Sequence, residues 1–347
     1  MIALKTIKNF NPPPDWLEIQ TIEAHTAGEP LRVILSGFPS LKGTSILSKR
    51  KELFLNHDSL RRSLMWEPRG HMDMYGALLV EPKMPTSDIG VIFMHNNGYS
   101  TGCGHAIIAL TKIFVQSGAV AITKPITKII IEAPSGIITA FAKFDDNKVI
   151  EVYFENVPSF VQDLDATVKV PNYGKIKYDL AYGGAFYAII NSKELGLELK
   201  YEFLDDIIFL GKKIKELISK DVNCNHPHEP EMNDLYGVIF VDKSSISDYH
   251  SKNICIFADG ELDRSPTGTG VSARAAVENS RGKLDAGKKI YIESITGGTF
   301  SVSIKKTVSI GNRKGIIPVV GGDASIIGKN TFWIDPNDPL KDGFLLK

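Results

Sequence analysis

Gly102-Cys103-Gly104-His105 and Asp263-Arg264-Ser265-Pro266-Thr267-Gly268-Thr269-Gly270 are two glycine-flanked turns that match each other, and where the first carries a thiol the second carries a hydroxyl. Each runs into a stretch that reads as a helix. From Cys103, Gly104 comes next, Ala109 lies six on and Gly118 fifteen on; from Thr267 the same offsets give Gly268, Ala273 and Gly282. Equal spacing from turn to closing glycine implies two halves built on one plan. Cys103 and Thr267 are then pseudo-equivalent and face each other across a cleft.

The chain outside these turns has the texture of two strand-rich units. In the first half, short β-branched or aromatic runs broken by Gly, Pro or Asp predict strands at 18–25, 31–35, 75–80, 89–94, 127–132, 137–144 and 149–154. The second half repeats the texture at 184–190, 235–241, 251–258, 289–293, 299–304 and 315–320. Helical patterns are fewer: 49–55, 57–65, 105–117, 204–219 and 270–279. Many strands with few long helices give an α+β chain. The proline run Asn11-Pro12-Pro13-Pro14-Asp15 closes off a loosely held N-terminal arm, 1–15. A first unit then covers 16–174 and a second 175–324, with the break at the turn Pro171-Asn172-Tyr173-Gly174.

Composition narrows the function classes. At 347 residues two domains are expected, and 43% hydrophobic with 23% charged residues is ordinary for a globular protein. Lys plus Arg equals Asp plus Glu at 40 each, so nothing attracts an acidic polymer, and nucleic acid is not an expected partner. Three cysteines without framework spacing favour a reducing compartment, the cytoplasm by default. No run approaches the roughly 18 apolar residues of a membrane span, so no membrane association is expected. A homodimer is compatible with all of this.

Cys103 has the best chemical setting in the chain. Between two glycines at a helix start, unpaired amides and the helix dipole favour an anion. Such a thiol can fall well below the ordinary value of about 8.5. The turn at Thr267 has the same donors without the acid, and its Gly268 and Thr269 amides suit a carboxylate. Asp263 could match an ammonium, although a turn or cap Asp is its plainer reading. Cys224, His226 and His228 form a Cys-x-His-x-His cluster without the separate ligand pair that zinc sites use, so an ordinary loop is the better reading. Cys255 reads as buried strand, and His25 and His71 as structural histidines. His71 is a candidate for organising the pocket.

The chain resembles the proline racemase family, of the diaminopimelate epimerase-like fold. The likeness rests on the residues from His25 to Val33, from Pro68 to Gly76, Gly102 to His105, Gly183 to Tyr187 and Asp263 to Gly270. The resemblance implies two pseudo-equivalent domains, each wrapped around a central helix, with the active site in the cleft between them. It also implies that segment 325–347 returns to the first domain. The backbones of Gly104, His105, Gly268 and Thr269 would bind a substrate carboxylate and Asp263 a ring nitrogen, with Tyr75 and Phe257 lining the pocket. Racemases and epimerases of this family carry a second cysteine at the position of Thr267.

The departure at Thr267 is like the branch that dehydrates trans-3-hydroxy-L-proline. A hydroxyl is far less acidic than a thiol, so Thr267 should neither take an α-proton nor return one to the opposite face. Racemisation needs two competent bases, whereas dehydration needs one. Cys103 is the expected base, and the new thiol, His105 or a water the expected acid for the leaving hydroxyl. No cofactor is required, because the substrate carboxylate is the electron sink. Two other readings keep parts of this pattern: a hydroxyproline 2-epimerase or proline racemase, and a non-catalytic amino-acid-binding protein. A cysteine hydrolase is disfavoured, since adjacent Cys and His on one helix start suit a triad poorly.

Overall fold

The computed structural model describes residues 3–346, so the first two residues of the expected arm and Lys347 lie outside the described residues. The arm carries a short exposed helix, Leu4–Lys8, and Phe10 packs edge-on against Trp333 with ring centroids 5.5 Å apart.

Two helices form the centre of the molecule. Gly104–Gln116 is buried almost all round, and its apolar sequence has no polar face to give to water. It is enclosed by strands Leu17–Thr26, Gly136–Asp145, Lys148–Glu155 and Ala324–Ile334. Gly268–Ser280 is equally buried among Ser159–Val170, Gly174–Tyr182, Thr299–Ile310 and Arg313–Gly322. Its small side chains, Gly270, Ser272, Ala273, Ala275 and Ala276, let those strands close in.

Strand pairing repeats step by step in the two halves. Leu17–Thr26 pairs antiparallel with Glu29–Ile34, which runs parallel to Tyr75–Val80. Likewise Gly174–Tyr182 pairs antiparallel with Phe186–Asn191, which runs parallel to Leu235–Asp242. Ile89–His95 then pairs antiparallel with Gly98–Ser100 and parallel with Ile126–Ala133. Its counterpart Ser251–Phe257 pairs antiparallel with Glu261–Asp263 and parallel with Lys289–Glu293. Ala324–Ile334 closes the first half on Leu17–Thr26, and Ser159–Val170 closes the second on Gly174–Tyr182. Lys148–Glu155 against Arg313–Gly322 joins the two. The architecture is α+β and of the expected diaminopimelate epimerase-like kind.

Several local expectations change. Pro171-Asn172-Tyr173-Gly174 is the turn of a hairpin, with Val170 opposite Gly174 and Asn172 at φ 68°, so the strand before it belongs beside the second helix. The strand expected from Gly184 begins only at Phe186, because Gly183 lies against the second helix, where a Cβ would fall 2.2 Å from the Thr269 carbonyl oxygen. The helices expected at 49–55 and 57–65 are the two arms of Ile46–Met65, which meet at a kink where His57 leaves helical geometry at φ −138°. It covers a separate apolar cluster that includes Leu53, Leu64, Met65 and Ile92.

The helix starts touch through glycine. A Cβ on Gly104 would lie 2.5 Å from the Gly268 Cα, and one on Gly268 would lie 2.6 Å from the Gly104 Cα. Gly104→Ala should therefore cost about 1–3 kcal/mol of stability, the usual cost of overpacking. In urea unfolding this is a lower midpoint at unchanged slope; an unchanged midpoint would show that the contact yields.

Candidate active site

The glycine contact brings two helix starts to one place. Cys103 caps the first at φ −152°, ψ 101°, its sulfur accepting from Ala106 N at 3.4 Å. Thr267 occupies the matching place at φ 66°, ψ 93°, and its buried Oγ1 has no hydrogen-bond partner among the described residues. A β-branched residue at positive φ is an outlier that persists only where its surroundings over-determine it. Here Thr267 N donates to Ser265 Oγ at 3.1 Å, and Val271 N donates to Thr267 O at 2.7 Å. The amides of Gly104, His105, Gly268 and Thr269 fall in first turns, where no intrahelical acceptor exists. Both dipoles also favour an anion between them.

Cys103, Gly104, His105, Tyr75, Phe257, Asp263, Thr267, Gly268 and Thr269 line one cavity, with about 290 Å³ of space free of atoms. The Tyr75 hydroxyl bonds to Ser100 Oγ, and its ring meets His105 edge-on at 4.8 Å. Phe257 stacks on Tyr236 at 5.2 Å. Thr269 Oγ1 is 2.6 Å from the Tyr187 hydroxyl.

The electrostatics overturn one expectation. Cys103 is not a low-pKa thiol in this closed cavity: burial pushes it well above its ordinary value, Asp263 and Glu29 add to the rise, and the Ala106 amide only partly offsets it. Helix-start donors are outweighed here by lost hydration and neighbouring carboxylates. His105 lies with Nδ1 3.2 Å from the Cys103 sulfur, and burial pushes its pKa down to about 3, so the ring is neutral near pH 7. Asp263 Oδ1 accepts from Ser265 N at 2.8 Å, so it is both a turn cap and a buried acid of the cavity. Burial raises its pKa to about 6 against the pull of Ser265.

Glu29, Tyr187, Tyr236 and Gly102 also line the cavity but were not singled out from sequence. Glu29 and Tyr187 stand inside family-like motifs, which was signal enough to question them; Tyr236 is an aromatic in a strand and carries no local mark. Glu29 is fully buried, with Oε2 accepting from Arg264 N at 2.7 Å and Oε1 unpartnered. Elsewhere, His25 Nδ1 accepts from Gly28 N at 3.4 Å, outside the cavity. The exposed His71 ring bonds to the Met72 carbonyl, and only its backbone carbonyl reaches inward, to Asn96 Nδ2. Cys255 is buried strand, and His226 Nδ1 accepts from Glu229 N at 3.0 Å in a loop.

A sequence profile described as proline racemase matches residues 21–345. A trans-3-hydroxy-L-proline dehydratase of Colwellia psychrerythraea is 49% identical over 332 residues, 96% of this chain and 94% of the relative. A trans-L-3-hydroxyproline dehydratase of Xenopus tropicalis is 43% identical over 339 residues, 97% of each chain. Among solved structures, a hydroxyproline epimerase from Agrobacterium vitis with bound trans-4-hydroxy-L-proline superposes with a TM-score of 0.89 at 29% identity, covering 95% of this chain and 96% of that one.

The raised Asp263 pKa has a stability consequence of definite sign. Relative to an unfolded value near 3.8, a folded value of about 6 means the folded state favours the protonated form, a benefit present at low pH and lost as pH rises through 6. Asp263→Asn keeps the acceptor for Ser265 and removes the charge. At pH 8 it should be more stable than the parent by up to about 3 kcal/mol, with the difference closing below about pH 4, while turnover is lost. Equal pH dependence of the two proteins in urea unfolding would contradict the raised value.

Proposed function

Because the chain belongs to the proline racemase family, we infer from this premise and from its site how it works. The chain removes water from trans-3-hydroxy-L-proline to give 1-pyrroline-2-carboxylate, as a hydro-lyase. The observation that carries the mechanism is the asymmetry at the two helix starts, a thiol at Cys103 and a hydroxyl at Thr267 on one cavity.

The substrate carboxylate sits between the helix starts, on the amides of Gly104, His105, Gly268 and Thr269. Asp263 receives the ring ammonium. That cation lies among carboxylates that otherwise hold the Cys103 proton in place, so its arrival favours the thiolate. Cys103 takes the α-hydrogen, and the released charge flows into the carboxylate, where preorganised donors are each worth about 3 kcal/mol in the transition state. The carbanion expels the neighbouring hydroxyl, and the enamine tautomerises to the cyclic imine. Tyr75 and Phe257 pack on the ring. Thr267 walls the opposite face, with no proton to give at neutral pH, so inversion has no second partner.

The same proposal includes two domains, one around each central helix, with the cavity between them; the repeated strand pairing supports this division, with Ser159–Val170 taken as part of the second. It includes a cytoplasmic setting without nucleic-acid or membrane partners, supported by three free, buried cysteines and by zero net charge. Among the described residues no helix is long and apolar enough to cross a membrane. A homodimer fits this picture.

Cys103→Ser should lower imine formation from trans-3-hydroxy-L-proline at least about 10²-fold, the lower range for a lost general base. In D₂O the parent should exchange the α-hydrogen of L-proline with retention and form no D-proline. Thr267→Cys should add slow formation of D-proline, read by chiral chromatography. Undiminished turnover of Cys103→Ser, or D-proline from the parent, would sink the one-base mechanism.

A further inference from the structure

Resting on the dehydration reading, we propose that Glu29 is the general acid of the reaction, its Oε1–H giving the proton with which the 3-hydroxyl departs as water.

Three observations place that proton. Glu29 is fully buried and lines the cavity with Cys103 and Asp263. Its two oxygens are differentiated: Oε2 accepts from Arg264 N at 2.7 Å and lies 3.5 Å from Arg264 Nη1, while Oε1 has no partner among the described residues. An oxygen already accepting a hydrogen bond is the poorer site for a proton, so a protonated Glu29 carries it on Oε1. That leaves a buried donor with nothing to donate to, a state costing about 1–3 kcal/mol unless a ligand supplies the acceptor. The groups facing Glu29 are Asp263, Asp73 and Arg264, and the carboxylates together with burial outweigh the guanidinium, pushing Glu29 well above the usual carboxylate range. Two neighbouring carboxyls are thereby split, Asp263 as the anion for the ring ammonium and Glu29 as the acid.

The side of the ring is also right. In the trans isomer the carboxylate and hydroxyl lie on opposite faces, so the α-hydrogen and the hydroxyl share one. The acid must then approach from the side of the base. Glu29 begins the strand Glu29–Ile34 of the half that carries Cys103, and its cross-strand partner Thr26 donates to the His105 carbonyl at 2.8 Å. This strand is thus tied to the helix start that holds the thiol. The sequence-level candidates fit less well: His105 is neutral, with a pKa near 3, and carries no readily given proton. The Tyr75 hydroxyl is pushed well above its ordinary value, mainly by burial, and is engaged with Ser100.

The step balances. The Cα–H bond breaks as the S–H bond forms on Cys103, its electron pair becomes the ring double bond, and the C–O bond breaks as oxygen takes the Glu29 proton. Water leaves, with Cys103 a thiol and Glu29 a carboxylate. Solvent returns the proton from sulfur to Glu29 after product release, and no redox change occurs.

The test separates this role from that of Cys103. Glu29→Gln keeps an acceptor for Arg264 N but has no acid. Imine formation from trans-3-hydroxy-L-proline should fall about 10²–10⁴-fold. Two reactions that need no proton on the leaving group should stay within about threefold of the parent: α-hydrogen exchange of L-proline in D₂O, and fluoride loss from trans-3-fluoro-L-proline. Dehydration within tenfold of the parent overturns the proposal. Loss of all three reactions together also overturns it, because Glu29 would then serve folding or binding. Failure of the underlying reading looks different: the parent itself makes no imine, or Cys103→Ser makes it normally.

Discussion

Two helix N-termini are held in backbone contact by a pair of glycines, and the site follows from that contact. Gly104 and Gly268 each occupy the space where the other's side chain would be. With any Cβ there the helix starts must separate, and the four first-turn amides move apart with them. The surrounding strands serve this juxtaposition. Each half wraps its helix so completely that the helix has no exposed face along which to slide, and Lys148–Glu155 against Arg313–Gly322 fixes the halves to one another. A close-packed interior transmits such positions with little slack.

The converging donors make an anion site, yet the cavity is also crowded with groups that become anions. Cys103, Glu29 and Asp263 are all buried and all held above their ordinary pKa values. The combination is unstable without a ligand and suited to a zwitterion. In the proposed mechanism the substrate's carboxylate is placed at the helix starts and its ammonium among the acids. Each charge then lowers the cost of the opposite charge in the protein. On that proposal the thiol, held protonated mainly by burial, becomes a better base when the substrate's ammonium sits beside Asp263, so that thiolate formation is linked to substrate binding.

Legibility in the sequence followed the range of the interactions. The turns at Cys103 and Thr267 were readable because glycine beside a helix start is a local backbone requirement, and eight cavity residues fall within those two turns. Strands with apolar alternation, such as Gly136–Asp145 and Lys289–Glu293, were readable for the same reason. Ser159–Val170 and Ala324–Ile334 were not, since much of each is exposed and polar, and they are strands because of their partners. The raised pKa of Cys103 was also out of reach. A helix start is visible in sequence, whereas the closing of a cavity by Glu29 and Asp263, distant in the chain, is a product of the fold. Tyr236 was missed on the same ground, its role set by a stack with Phe257 across neighbouring strands.

In the proposed mechanism a hydroxyl at Thr267, where a second thiol would stand, redirects the fate of a carbanion rather than its formation. Removal of the α-hydrogen depends on the helix starts and on Cys103, and neither is altered by what stands opposite. Once formed, the carbanion can be reprotonated on the far face, reprotonated by Cys103, or lose its neighbouring hydroxyl. A thiol opposite makes the first route fast, whereas an alkyl hydroxyl closes it, and return from Cys103 merely restores the substrate. Elimination is then the only irreversible exit. The strained backbone at Thr267, φ 66°, holds its side chain on the same cavity as Cys103. On this proposal the site keeps both helix starts and lacks acidity at one of them, so that elimination arises on the same framework.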